Sequence, residues 1–202
     1  MNPARDIAGC ILAGGQSRRM GEDKARFILD GSRLLDRAIE RLRPQAASLI
    51  INVHEDRGDL GRYGLPVVTD PEGDHLGPLA GILAALRWAA RNNVAWITTA
   101  AVDTPFFPRD LVAKLADAAA GKDMAVARSG ERLHPVFGLW KATLAPQLAE
   151  FIESSPRSVH HWALGHDAGV AEWPVQPYDP FFNINGPADV STALEIQAEF
   201  RP

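Results

Sequence analysis

The stretch LAGGQSRRMGEDK, residues 12–24, brings Gly14, Gly15 and Gly21 together with Arg18, Arg19 and Lys24 directly behind an apolar run. Glycines let the backbone approach a ligand closely, successive N–H groups form an anion nest, and the cations add full charges. A triphosphate fits that arrangement. Two common phosphate motifs do not describe it. A P-loop needs G-x-x-x-x-G-K-[ST], with four residues between its glycines, whereas five residues separate Gly15 from Gly21 and Lys24 precedes Ala25; the G-x-G-x-x-G fingerprint is also missing. Three further polar residues follow apolar runs. Asp103 precedes Thr104-Pro105, where the proline keeps its predecessor extended and helps set a turn. Mg²⁺ typically takes one or two carboxylates plus phosphate oxygens and water, so one such Asp suffices as protein ligand. Asn52 and Asp70 carry the hydrogen-bonding groups that a nucleobase or ribose requires, although Asn and Asp are also frequent turn formers.

Positioning these groups is the task of alternating elements. Apolar, β-branched runs at 7–13, 48–53, 66–69, 95–102, 124–127, 135–140 and 170–173 predict strands, and helical periodicity predicts helices over 34–42, 79–90, 109–119, 144–153 and 188–200. Pro44, Gly121 and Pro156 act as stops. The alternation predicts an α/β fold, a single Rossmann-like domain over residues 1–202 whose mostly parallel twisted sheet has helices on both faces. Ligands of such sheets collect beyond the carboxyl ends of the strands. Those ends carry Gly14 and Gly15, then Asn52, then Asp70, then Asp103.

With 202 residues, 46% hydrophobic and 23% charged, the chain can bury a sizeable core and is not of disordered composition. Its net charge of −4 argues against nucleic-acid binding over a broadly basic surface, and no segment reaches the length of a membrane span. A cytoplasmic protein is expected. The single Cys10 lies inside an apolar run and reads as a buried structural thiol. No Cys/His spacing suggests zinc. His75, His160, His161 and His166 read as structural or solvated, and Trp88, Trp140, Trp162 and Trp173 as packing.

The pattern GG-x-S-x-RMG-x-DK resembles the signature of nucleotidyltransferases that activate phosphorylated metabolites with an NTP. In its LAGG form it resembles the molybdenum cofactor guanylyltransferase family in particular. VVTD ending at Asp70 is similar to that family's nucleoside segment, GPLAGI (77–82) to its next loop and helix start, and VDTPFFP (102–108) to its metal-binding segment. HPVFGLW (134–140) is similar to a later strand and FFNINGPAD (181–189) to the closing N-x-N-x-P motif, with Gly186 where the family commonly has Thr. Residues 141–176 match only loosely.

The resemblance implies a GTP site of Leu12, Ala13, Gly14, Gly15, Lys24, Asn52, Asp70 and Asp103, with Leu12, Ala13 and Gly14 offering backbone groups. It implies Arg19, Lys24 and Asp103 as the catalytic set and Asp103 as the Mg²⁺ ligand, with Asn185 a second candidate near the ion. Arg157, Asn183 and Asn185 are implied on the molybdopterin side, and His134 could approach the same substrate. Arg18 fits a phosphate contact or a solvated surface equally, and Asp23 a bridge to Lys24 or a helix start. Gly15 favours GTP, since related cytidylyltransferases usually read LAAG. The N-terminal half would then mainly bind GTP and the C-terminal half mainly molybdopterin. The implied reaction transfers GMP from GTP to the terminal phosphate of molybdopterin carrying molybdenum, releasing pyrophosphate. No general base is needed, because a phosphate monoester has a second pKa near 6. Transient partners would be proteins that deliver the loaded cofactor and apo-molybdoenzymes that receive it. The alternatives are CMP transfer to molybdopterin, nucleotide transfer to a sugar phosphate, or a non-catalytic GTP-binding regulator; the chain lacks both GKS/T and NKxD.

Overall fold

The computed structural model describes residues 6–14, 24–55, 58–70, 77–154 and 158–200. The first strand, β1 (Ile7–Leu12), is followed by a short hairpin of β2 (Ile28–Leu29) and β3 (Ser32–Arg33), then α1 (Leu34–Leu42), β4 (Ser48–Val53) and β5 (Val67–Thr69). Next come α2 (Pro78–Arg91), β6 (Trp96–Ala101), α3 (Leu111–Ala118), β7 (Met124–Ser129) and β8 (Arg132–Lys141). The chain ends with α4 (Ala145–Ser154), α5 (Val159–Gly165), β9 (Gly169–Trp173) and α6 (Pro187–Phe200). Seven strands form one sheet in the order β5-β4-β1-β6-β8-β7-β9, and only β8 runs against the others.

β1 shows why the sheet sits between two helical layers. Its six residues are all buried, as expected for a parallel strand covered on both faces. Ile7 and Ile11 pack with α1, α3 and α6; Ala8, Cys10 and Leu12 point the other way, toward α2, α4 and α5. The expected α/β architecture is present, with strands and helices close to the predicted bounds. Cys10 is fully buried at the centre, and desolvation pushes its thiol pKa well above the ordinary value. Trp140 and Trp162 are fully buried and Trp173 nearly so, as packing residues. Among the described residues no helix is long and apolar enough to cross a membrane.

Three differences from the predicted elements have physical reasons. β8 begins at Arg132, three residues before the predicted strand, because it forms a tight hairpin with β7 through Gly130 at φ 53°. Pro135 hides that start: it lacks an N–H, and the ladder shifts there, with Val126 opposite Gly138 but Ala127 opposite His134. Residues 135–137 therefore bulge from the β7 ladder. α5 spans only seven residues, too few for its apolar spacing at Val159, Trp162 and Ala163 to stand out. The β2–β3 hairpin has two-residue strands and carries no readable alternation.

Candidate active site

A cleft of about 570 Å³ opens along the carboxyl ends of the parallel strands. The sheet order lays its polar groups out in sequence: Asp70 after β5, Asn52 on β4, Gly14 after β1, Asp103 after β6 and His134 near the start of antiparallel β8.

At the β5–β4–β1 end, Asn52 is only 2% exposed. Its amide donates to Asp70 Oδ1 at 2.8 Å and to the Val68 carbonyl at 3.3 Å. Asn52 therefore aims Asp70, whose other oxygen lies 3.6 Å from His54 Nδ1. Two glycines allow this packing. A Cβ on Gly14 would come within 2.8 Å of the His54 amide nitrogen. One on Gly81 would strike the Asn52 amide oxygen and come within 2.8 Å of Leu12. Gly81 was not singled out from the sequence, although a glycine inside the apolar helix α2 was the available signal. Nearby, the Ala13 N–H donates to the Asn52 carbonyl at 2.8 Å, and the Leu12 carbonyl accepts from Val102 N–H at 3.1 Å. The Ala13 carbonyl and Gly14 amide take no part in these bonds.

In the middle, residues far apart in sequence converge. Lys24 Nζ donates to Asp103 Oδ2 at 2.6 Å and to Asn185 Oδ1 at 2.7 Å. Asn183 reaches the same Asp103 oxygen at 3.5 Å, and Asn185 donates to Asn183 Oδ1. The backbone ties these segments together, since Ile184 N–H donates to the Asp103 carbonyl at 2.8 Å. Asp189, in the first turn of α6, accepts from the Asn185 and Gly186 amides at 2.7 and 2.9 Å, satisfying helix-start donors and fixing Asn185. A Cβ on Gly186 would meet open space, so the residue common in the family would fit.

The loop behind Asp103 is anchored from below. Buried Arg41 donates to the Phe107 carbonyl at 2.6 Å and the Phe106 carbonyl at 3.4 Å; burial, and then Arg109, lower its pKa to about 10. Gln45 donates to the Pro108 carbonyl at 3.1 Å and accepts from Val112 N–H at 3.1 Å.

Among the described residues, Asp103 Oδ1 receives only a long contact from Thr104 Oγ1, at 3.4 Å. One carboxylate with amide oxygens nearby suits a hard cation that takes most of its ligands from phosphate and water. Among the described residues no cluster of three or more His, Cys, Asp or Glu would hold a metal by itself. At the β8 end, His134 is 8% exposed and stacks on Phe181, ring centroids 4.6 Å apart and planes at 22°. Burial lowers its pKa to about 4; Asp179 opposes the shift and Arg132 adds to it. Gly15, Arg18, Arg19, Asp23, His75 and Arg157 lie outside the described residues.

Residues 9–168 match the family described as MobA-like NTP transferase domain. A molybdenum cofactor guanylyltransferase of Nitrobacter hamburgensis is 43% identical over 196 residues, covering 94% of each chain. One of Rhizobium meliloti is 43% identical over 192 residues, 91% of this chain and 88% of that protein. Among solved structures, molybdopterin-guanine dinucleotide biosynthesis protein A of Archaeoglobus fulgidus superposes with a TM-score of 0.74 at 24% identity, covering 96% of this chain and all of that one. A 4-diphosphocytidyl-2C-methyl-D-erythritol synthase of Anaerococcus prevotii gives 0.75 at 12% identity over 98% of each chain. These two likenesses show a shared fold.

Proposed function

The chain belongs to the molybdenum cofactor guanylyltransferase family of MobA-like NTP transferases, and from that premise we propose that it transfers GMP from GTP to the terminal phosphate of molybdopterin carrying molybdenum. Pyrophosphate leaves, and the product is the guanine dinucleotide form of the cofactor. The single observation that carries the assignment of roles is the convergence of Lys24, Asp103, Asn183 and Asn185 midway along the cleft.

GTP occupies the β5–β4–β1 half. Asp70 accepts from guanine N1–H and the 2-amino group, and Asn52 acts by holding Asp70 rather than by touching the base. Leu12, Ala13, Gly14 and Gly15 line the nucleoside. Molybdopterin enters from the β8 side, toward Asn183 and Asn185, and Arg157 is assigned to the same substrate. All 202 residues form one nucleotidyltransferase domain whose halves divide the two substrates in this way.

Negative charge concentrates on the equatorial oxygens of the α-phosphorus and on departing pyrophosphate, and fixed cations lower the barrier most when aimed there. Lys24, which Asp103 and Asn185 hold in the middle of the cleft, supplies one such cation, and Arg19 is assigned the same role. Mg²⁺ bound at Asp103 would supply further neutralisation of the phosphate oxygens. The acceptor phosphate is already largely a dianion at neutral pH, so it attacks in line without a base. The reaction takes place in the cytoplasm, with transient contacts to proteins that deliver the loaded cofactor and to apo-molybdoenzymes. The test is one incubation of purified protein with Mg²⁺, labelled GTP and molybdopterin. Guanylylated pterin and pyrophosphate are the expected products; their absence with folded protein and intact acceptor overturns the assignment.

A further inference from the structure

Beyond Asp103, the β8 end of the cleft holds a chain of polar groups that the phosphoryl-transfer step does not use. Ser129 closes β7, and its Oγ lies 2.8 Å from Asp179 Oδ1 and 2.7 Å from His134 Nε2. The Phe181 amide donates to the same Asp179 oxygen at 3.0 Å. A carboxylate only accepts, so the one hydrogen of the serine hydroxyl goes to Asp179. The serine oxygen must then accept from the imidazole, and Nε2 carries the ring hydrogen. In a neutral imidazole that leaves Nδ1 as a bare acceptor. Burial keeps the ring neutral at physiological pH, since its pKa falls to about 4. Stacking on Phe181 limits the tilt of the ring. His134 lines the cleft, and Nδ1 has no hydrogen-bond partner among the described residues.

A bare lone pair is the wrong group to meet phosphate oxygens and the right one to meet a ring N–H. The guanine of GTP is not its partner. Asp70 follows β5 and His134 lies near the start of β8, four strand spacings away, which is about 19 Å along the sheet edge. Asp103 stands between them, where the phosphates would meet.

We propose that His134 binds the heterocycle of the acceptor substrate by taking a ring N–H or amino hydrogen on Nδ1, and that Ser129 and Asp179 are positioning residues that dictate which nitrogen is bare. The inference rests on the reading that molybdopterin occupies the β8 half; a reduced pterin presents several N–H donors along its edge.

Kinetics with the full chain, Mg²⁺, GTP and molybdopterin test it. Glutamine at 134 reaches the Nε2 position and keeps the Ser129 contact but offers nothing at Nδ1. Asparagine places its amide at the Nδ1 position. His134→Gln is expected to raise KM for molybdopterin about tenfold, the scale of one lost hydrogen bond, with KM for GTP unchanged. His134→Asn is expected to recover most of that loss, and Ser129→Ala, which frees the other tautomer, to lose part of it. A glutamine variant with wild-type KM for molybdopterin overturns the assignment. Nitrogen-15 spectra of the wild-type imidazole give a readout without turnover: Nδ1 is expected to be the unprotonated nitrogen and to shift when molybdopterin is added without GTP. A proton on Nδ1, or no shift at saturation, overturns it as well. Wild-type protein that fails to guanylylate molybdopterin overturns the functional reading itself; wild-type turnover with an unmoved glutamine variant overturns only the role of His134.

Discussion

Asp103 and Lys24 are each partly buried, with side chains 17% and 14% exposed, and neutralise one another at 2.6 Å. If Asp103 holds Mg²⁺, Asp103→Ala should cut kcat by a thousandfold or more, a loss on the scale of removing a preorganised charge from phosphoryl transfer. The fold should survive, which circular dichroism and a Tm near that of wild type would show; near-normal turnover removes Asp103 from the metal site. His134 gives a prediction in pH. Its folded pKa of about 4 lies below the ordinary 6.5, so between these values the unfolded chain binds one more proton than the native one. Stability therefore falls as pH drops through that window, by at most about 1.4 kcal/mol per pH unit from this group. Asp179 and Arg132 face the ring with opposite effects. Urea unfolding of His134→Gln should show a shallower slope between pH 6.5 and 4 than wild type, and parallel curves would contradict the burial argument. The types of Asp70 and Asp103 were legible in the sequence because each follows a strand-like run, and that of Lys24 because it closes the glycine-rich cationic stretch 12–24. Their partnerships were not: Lys24 meets Asn185 across 161 positions, and nothing local in either segment signals that.

At the level of elements, the loop between β6 and α3 is held by the end of α1 and the turn that follows it as well as by its own backbone bonds. Gln45 bridges Pro108 and the Val112 amide, and Arg41 grips the Phe106 and Phe107 carbonyls. Gln45→Ala would strand the buried Val112 amide, at a cost of about 1–3 kcal/mol, while the Pro108 carbonyl keeps the Leu111 N–H at 3.3 Å. The expected outcome is a loss of roughly 1–3 kcal/mol in denaturant unfolding together with weaker turnover, because the same loop carries Asp103. A stability change of less than about 0.5 kcal/mol, the range of an ordinary surface substitution, would show that the bridge is not required. Buried strands such as β1, and β4 beyond its exposed Ser48, could be read from composition, since burial on both faces makes them largely apolar runs. The start of β8 could not. Pro135 breaks the pattern at the bulge that brings Arg132, His134 and Val136 to the cleft, so the feature that builds this wall also conceals it.

Across the whole molecule, the antiparallel insertion of β8 beside β6 divides the cleft, with the glycine-bearing strand ends on one side and the β7–β8 hairpin on the other. Alternation of strands and helices predicted the layers, but strand order depends on which edges meet, and the sequence pattern does not contain that. Cys10 offers a probe of the assembled sheet. It sits on β1, the strand between β4 and β6, with no exposed surface, and burial holds its thiol protonated. Only the thiolate reacts with disulfide reagents, so local fraying should not expose it and labelling should require global unfolding. Under native conditions the labelling rate should therefore follow the unfolded fraction measured with denaturant. The same strand leads directly into Gly14 in the proposed GTP half, so a nucleotide that binds only the folded chain must suppress unfolding. At a free GTP concentration of about 100 Kd, linkage predicts about 2.7 kcal/mol of stabilisation and labelling slowed about a hundredfold. Labelling that is fast in the native state, or indifferent to saturating GTP, would mean that β1 opens independently of the sheet it joins.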